Sequence, residues 1–287
     1  MTRYFGAVTR EISEFRPLPE LAYAVRGALR LYFSVIVVRG EFMRNEASEE
    51  WSIRCDLAAA YRLIAHFGMD DLISTHLSVR LPGDDHRFLL NPYGMMFDEI
   101  TASNLVVVDP DGHFVENQEQ AKINNAGFTI HSAVHMSRED AQCVMHTHTV
   151  AGMAVSAQDQ GLLPLNQKSM CLYGNVAYHP FEGVALDLGE RERLVRDLGD
   201  KDFMILKHHG LLTVGRTVSE AFLNMFTLEQ SCRVQIAALQ GSRVTLPSVE
   251  VATHTAAQFK EQSWNRSKRP WEALKRRLDR ISPEYAT

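Results

Sequence analysis

Two histidines one residue apart, in Val144-Met145-His146-Thr147-His148-Thr149, are the first residues of this chain with shared chemistry. In extended backbone, positions i and i+2 face the same way. His146 and His148 can therefore reach one ion from the end of a strand. Neutral imidazole is the commonest protein ligand for zinc, iron, manganese and nickel. The plainer alternative is a pair of ordinary polar residues at a strand end. A metal site needs a third ligand, and the best source is Lys207-His208-His209-Gly210, a turn between two apolar runs. Two histidines from one turn and one from another form the open-sided arrangement of catalytic zinc.

The elements that must position these residues follow from patterning. Trp51 to Phe67 carries apolar residues at helical spacing and stops at Gly68. Strands are expected over Leu72–Leu81, Phe88–Leu90, Leu105–Val108, Ala141–Met145, Phe203–Leu206 and Leu211–Val214. Asn91-Pro92-Tyr93-Gly94 and Asp109-Pro110-Asp111-Gly112 read as turns. Helices are expected over Gly127–Met136, His148–Ala157, Arg191–Leu198 and Ser219–Gln240, the last with Ser219 as N-cap. Residues 164–188 read as irregular with short strands. No linker or repeat divides the chain, so one α/β domain is expected over 47–245. Residues 1–46 form an extension of uncertain role, with Met43 a plausible alternative start. Residues 246–287 form a polar, basic tail, expected to dock through Trp264, Trp271, Leu274 and Leu278.

Composition excludes several classes. The 287 residues are 45% hydrophobic and 23% charged, and the net charge is −5. That balance suits a protein with a sizeable core and gives no electrostatic reason to expect nucleic acid or an anionic membrane as partner. Four scattered cysteines without a CxxC read as reduced thiols of a cytoplasmic protein. The apolar run Leu31–Val38 is too short to span a bilayer, and no small-residue cleavage site follows it.

From about Trp51 to Gly241 the sequence resembles the class II aldolase/adducin family. The resemblance rests on His146-Thr147-His148-Thr149, on His209-Gly210-Leu211-Leu212-Thr213-Val214-Gly215, and on the loops Leu77-Ser78-Val79-Arg80 and Asn91-Pro92-Tyr93-Gly94. The stretch Ala126–His135 resembles the adducin branch. The resemblance implies an α/β/α sandwich around a mostly antiparallel central sheet. It further implies a homotetramer and one divalent metal per subunit (Zn, Mn or Fe(II)) on His146, His148 and His209. His208 stands where relatives usually carry Asn and is expected beside the site rather than as a ligand.

The departures bear on mechanism. Family sugar-phosphate aldolases place a glutamate, which acts as ligand and base, four residues before the position of His131. Here that residue is Gly127. The phosphate-gripping serines correspond to Asn125, Ala126 and Tyr93, and the loop asparagine corresponds to His76. These changes favour a small, non-phosphorylated carboxylic acid, possibly aromatic, over a sugar phosphate. His76 and Tyr93 become the candidate catalytic residues, His76 as a general acid/base or carboxylate-orienting group. Asn91, Gly94, Asn125, His131 and His179 are candidates for the surrounding shell or substrate contact. His131 and His135, four apart on one helix face, are expected as backbone-bonded core or interface residues, with a ligand or relay role as the alternative. Glu182 is the acid nearest His179 in sequence.

Three functions are open at this level. The first is a metal-dependent lyase that cleaves a C–C bond of an oxo- or hydroxy-acid by decarboxylation or retro-aldol reaction. The second is a non-haem Fe(II) oxygenase, like the family member of aminocoumarin antibiotic pathways that shortens a prenylated hydroxyphenylpyruvate to a benzoate. The third is a non-enzymatic, adducin-like assembly module.

Overall fold

The computed structural model describes residues 49–83, 85–115, 121–183, 188–241, 243–260 and 267–287. The expected extension over residues 1–46 and Trp264 lie outside them. Residues 50–287 form one compact unit.

Helix α1 covers residues 49–66 and buries Leu57, Ala60, Tyr61, Leu63 and Ile64. It ends as its glycine requires. Gly68 takes φ +61, its N–H donates to the Ala65 carbonyl, and the Met69 N–H donates to the Ile64 carbonyl. This left-handed cap turns the chain sharply and delivers Asp71 just beyond it.

Seven strands follow: β1 His76–Arg80, β2 Phe88–Leu90, β3 Val106–Val108, β4 Cys143–Thr147, β5 Val176–His179, β6 Phe203–Leu206 and β7 Gly210–Gly215. They form one sheet in the order β3-β2-β1-β4-β7-β6-β5, antiparallel except for β5 beside β6. The helices are α2 Asn125–Ser137, α3 Val150–Ser156, α4 Gln167–Met170, α5 Leu188–Leu198, α6 Val218–Leu239, α7 Val249–Lys260 and α8 Lys268–Ile281.

Strand alternation sorts the sheet into two faces. Leu77, Val79, Cys143, Met145, Ile205 and Leu211 join α1, α3, α6 and α8 in the larger core. Val144, Met204, Leu206, Leu212 and Val214 meet Ile130 and Val134 of α2 and Leu194 and Leu198 of α5. The result is the expected α/β/α sandwich. The same parity places His76, Ser78 and His146 on the α2 face, with His76 directly opposite His146 in the β1–β4 register.

Two expectations change. Thr217, not Ser219, caps α6, because its hydroxyl accepts the Glu220 N–H. The basic end is not a separate tail after residue 245. Trp271, Leu278 and Tyr285 are buried in the larger core, Lys275 pairs with Asp56 at 2.7 Å, and the Ala102 N–H donates to the Tyr285 carbonyl. Burying side chains of this size stabilises by roughly 2 kcal/mol each, so the segment belongs to the domain. Among the described residues no helix is long and apolar enough to cross a membrane.

Candidate metal centre

Strand β4 carries His146 to its end, and His148 follows one residue past it. The β6–β7 turn brings His209 alongside. His208 takes φ +57 in that turn, a left-handed conformation that asparagine adopts readily. Gly210 lets the two segments meet, since a Cβ there would lie 2.4 Å from the Thr147 carbonyl oxygen and 3.0 Å from the His148 ring.

The three Nε2 atoms converge. His148 Nε2 lies 2.8 Å from His146 Nε2 and 2.9 Å from His209 Nε2. His146 Nδ1–H donates to the Leu211 carbonyl at 2.9 Å, and His148 Nδ1–H donates to the Asp71 carboxylate at 3.0 Å. Both partners only accept, so each neutral ring presents a lone pair at Nε2. Two lone pairs facing each other at this distance repel unless a cation lies between them. Burial, with the neighbouring histidines adding to it, holds His146 well below the ordinary imidazole range and His209 at about 4. His146 and His209 therefore do not supply that cation by taking up a proton near neutrality. The donor set suits a divalent metal of the zinc type.

Asp71, on the far nitrogen of His148, is a residue of the candidate site that the sequence reading missed. A carboxylate on the far nitrogen of a ligating histidine sets its tautomer and raises its basicity. Asp71→Asn is expected to weaken metal affinity by about 10- to 100-fold with the fold retained. Metal titration with a competing chelator would measure it, and unchanged affinity would refute the role.

His76 lies against this centre, buried, its ring centroid 5.6 Å from that of His146 and 4.1 Å from that of His131. It fills the space a side chain at residue 127 would need. A Cβ on Gly127 would stand 1.9 Å from His76 Cε1. Neither His76 ring nitrogen has a hydrogen-bond partner among the described residues. Below it, His135 Nδ1–H donates to the Ala141 carbonyl at 2.6 Å. His135 Nε2 therefore accepts from the Ser78 hydroxyl at 2.7 Å, and Ser78 Oγ accepts from His131 Nδ1–H at 2.7 Å. This order leaves His131 Nε2 as a buried lone pair without a partner. His135 thus meets the expectation of a backbone-bonded core residue, whereas His131 is held through Ser78.

Burial drives His76 to about 4 and His135 to about 3, so both are neutral in the folded protein at neutral pH. Unfolded histidine titrates near 6.5. Between those values the unfolded chain binds protons that the folded chain refuses. Their contribution to stability is complete above pH 6.5 and lost as pH falls through about 4 and then 3, at about 1.4 kcal/mol per pH unit for each residue. Thermal melts of metal-stripped protein should show Tm falling steadily from pH 6.5 to 4. A flat profile would refute this.

The remaining candidates are placed differently. Asn91 is buried, and its Oδ1 lies 2.8 Å from the hydroxyl of buried Tyr61, so it anchors its loop to α1. Gly94 takes φ +101 in that loop. Tyr93 is 47% exposed, and no contact ties it to the three histidines. His208 is exposed and serves the turn rather than buttressing a ligand. Asn125 opens α2, but its side chain lies outside the described ones. His179 is paired with Asp197, while Glu182 pairs with Arg193 instead.

A mostly antiparallel sheet between helical layers, with three histidines converging at the ends of β4 and β6, defines an α/β protein with a candidate metal centre. The family model described as Class II Aldolase and Adducin N-terminal domain matches residues 55–236. The chain belongs to this family. It is 49% identical over 85% of its length, and 96% of the relative's, to a putative aldolase class 2 protein of Caulobacter vibrioides. It is 42% identical over 65% of its length to mouse alpha-adducin, of which that match covers 26%. Among solved structures, an aldolase II superfamily protein from Pseudomonas syringae matches with TM-score 0.80 and 50% identity over 83% of this chain and 96% of that one. L-fuculose 1-phosphate aldolase from Glaciozyma antarctica matches with TM-score 0.74 and 30% identity over 84% and 94%. By name these relatives are a class 2 aldolase homologue, an aldolase II superfamily protein, an L-fuculose 1-phosphate aldolase and an adducin, and they lend no support to the iron oxygenase alternative.

Proposed function

We propose that this protein is a divalent-metal-dependent lyase cleaving a C–C bond in a small, non-phosphorylated oxo- or hydroxy-acid. The observation that carries the reading is the convergence of three imidazole Nε2 atoms, with the far nitrogens of His146 and His148 tied to the Leu211 carbonyl and the Asp71 carboxylate. His146, His148 and His209 would hold the metal, with Zn, Mn and Fe(II) all compatible with three neutral nitrogens. A metal there supplies Lewis-acid polarisation of the substrate carbonyl, worth several kcal/mol of charge stabilisation. Asp71 fixes His148, and the Leu211 carbonyl fixes His146, so the ligands need little rearrangement. His76, neutral and buried beside them, is the group nearest the space vacated at Gly127 and is assigned to orient the substrate carboxylate or exchange its proton. The residues at the phosphate-binding positions of the family, Asn125, Ala126 and Tyr93, favour a carboxylate over a phosphate. A homotetramer is part of this proposal, to be checked by native mass spectrometry.

The test is a screen of metal-loaded protein against 2-oxo and 2-hydroxy acids and against sugar phosphates, with and without chelator. Metal-dependent cleavage of an acid is expected. Cleavage at full rate by metal-stripped protein would overturn the metal assignment, and exclusive cleavage of sugar phosphates would overturn the substrate class. The match to alpha-adducin supports a second reading, a non-enzymatic assembly module. Metal content near zero in protein purified without chelator would select it.

A further inference from the structure

A second polar recess adjoins the metal centre. It is lined by Ile130, Leu194 and Leu206 among its apolar residues and by four polar residues, His209, His179, Glu190 and Lys207. Its polar end is built. His179, at the last position of β5, is 2% exposed. Its Nδ1–H donates to Asp197 Oδ2 at 2.8 Å, which leaves Nε2 as an acceptor. That nitrogen is buried and has no hydrogen-bond partner among the described residues. The Glu190 carboxylate stands 3.7 Å away, too far for a hydrogen bond, and is itself buried. Among the described residues no lysine or arginine pairs with Glu190. Its place in the first turn of α5 makes its charge tolerable there. Asp197, by contrast, is also met by Arg196 at 3.5 Å.

Two buried acceptors therefore face one small recess, and the Lys207 ammonium, whose residue also lines it, donates to the Gln158 carbonyl at 2.7 Å instead. A buried acceptor left unmet costs about 1–3 kcal/mol, so the recess is complementary to a ligand group that donates. His209 lines the same recess, so a molecule held at the metal centre can extend into it. We propose that this recess is the specificity pocket of the metal centre and that it receives a hydroxyl of the substrate, held between His179 Nε2 and the Glu190 carboxylate. The inference rests on the metal-dependent reading above and narrows its substrate class to 2-oxo acids carrying a hydroxyl on the chain beyond the carbonyl. A hydroxyl β to the carbonyl, as in 4-hydroxy-2-oxobutanoate, is what an aldol-type cleavage requires and a plain decarboxylation does not. Asp197 is the positioning residue, since it fixes which nitrogen of His179 accepts.

The experiment is calorimetric binding to Mn(II)-loaded protein of three pairs of probes: pyruvate and 3-hydroxypyruvate, 2-oxobutanoate and 4-hydroxy-2-oxobutanoate, 2-oxopentanoate and 5-hydroxy-2-oxopentanoate. At one chain length the hydroxylated probe is expected to bind about 10- to 100-fold more tightly, the range for a hydrogen bond to a charged or oriented acceptor. The preference should fall to within threefold in His179→Leu and in Glu190→Gln, while binding of the plain oxo acid and of Mn(II) stays unchanged. Asp197→Asn should reduce the preference without removing either acceptor. Plain and hydroxylated probes binding equally at all three lengths would overturn the pocket while leaving the metal reading intact. A preference that survives in both variants would overturn the assignment to these residues. Failure of every oxo acid to bind, with Mn(II) bound, would overturn the oxo-acid reading and the pocket with it. If His179→Leu does not fold, Glu190→Gln, a near-isosteric change, decides the outcome.

Discussion

Replacing His146 or His148 with alanine is expected to abolish stable binding of the divalent metal and to lower turnover by about 10³- to 10⁴-fold. The magnitude follows from the role. Removing a Lewis acid forfeits several kcal/mol of transition-state stabilisation, and each 1.4 kcal/mol is a factor of ten in rate. The effect should not be graded by position, because three ligands act as a unit and two do not hold the ion. His208→Ala supplies the contrast. His208 is exposed in the left-handed turn, and its loss should leave metal content unchanged. Elemental analysis of the purified variants measures both. Full metal content in His146→Ala or His148→Ala would overturn the site, and loss of metal in His208→Ala would overturn the choice of ligand within the turn.

The second large effect concerns Gly127 and His76 as a pair. Alanine at 127 improves intrinsic helix propensity by about 1 kcal/mol, yet Gly127→Ala is expected to destabilise by about 3 kcal/mol. Its Cβ would collide with the His76 ring at 1.9 Å from Cε1 and 2.4 Å from each nitrogen. The ring has little room to yield, being enclosed by α2, His131 and His146, and overpacking in such places costs 1–3 kcal/mol or more. His76→Ala alone is expected to cost about 2 kcal/mol by leaving a cavity. In the double variant the new side chain and the cavity compensate. Its loss should fall below the sum of the singles by about 2 kcal/mol, within the range of contacting residues. Denaturant melts of the four proteins measure the cycle. Additive losses would show that the two residues do not compete for space. The same cycle built with Gly127→Glu asks whether a carboxylate can be restored once His76 is removed.

These two predictions differ in how far they could be read without a fold. His146, His148 and His209 stand out because their cues are short-range: an HxH after an apolar run, and a histidine before a turn glycine. The α/β class and most strands are legible for the same reason, since period-two and period-3.6 patterning and turn chemistry act over a few residues. The capping of α6 by Thr217 rather than Ser219 shows the limit of such cues, because either hydroxyl could cap and only the entry angle of the chain selects one.

What no local pattern could contain is the set of partners. Strands β1, β4 and β7 are neighbours in the sheet but not in the chain. That arrangement sets His76 opposite His146 and lets Ser78 join His131 to His135. Asp71 reaches His148 across 77 positions, because the cap at Gly68 turns the chain toward the end of β4. The basic end becomes part of the core only when Asp56 and the groove between α1 and α6 exist to receive Trp271 and Lys275. The sequence by itself determined which residues can bind metal and the kind of elements that carry them, because ligand type and backbone propensity are properties of short segments. Tertiary structure decided which nitrogens of His146 and of His148 converge with that of His209, what fills the space at Gly127, and which buried acceptors line the recess beside His209. Those depend on long-range packing and on hydrogen bonds that form only once distant strands lie side by side.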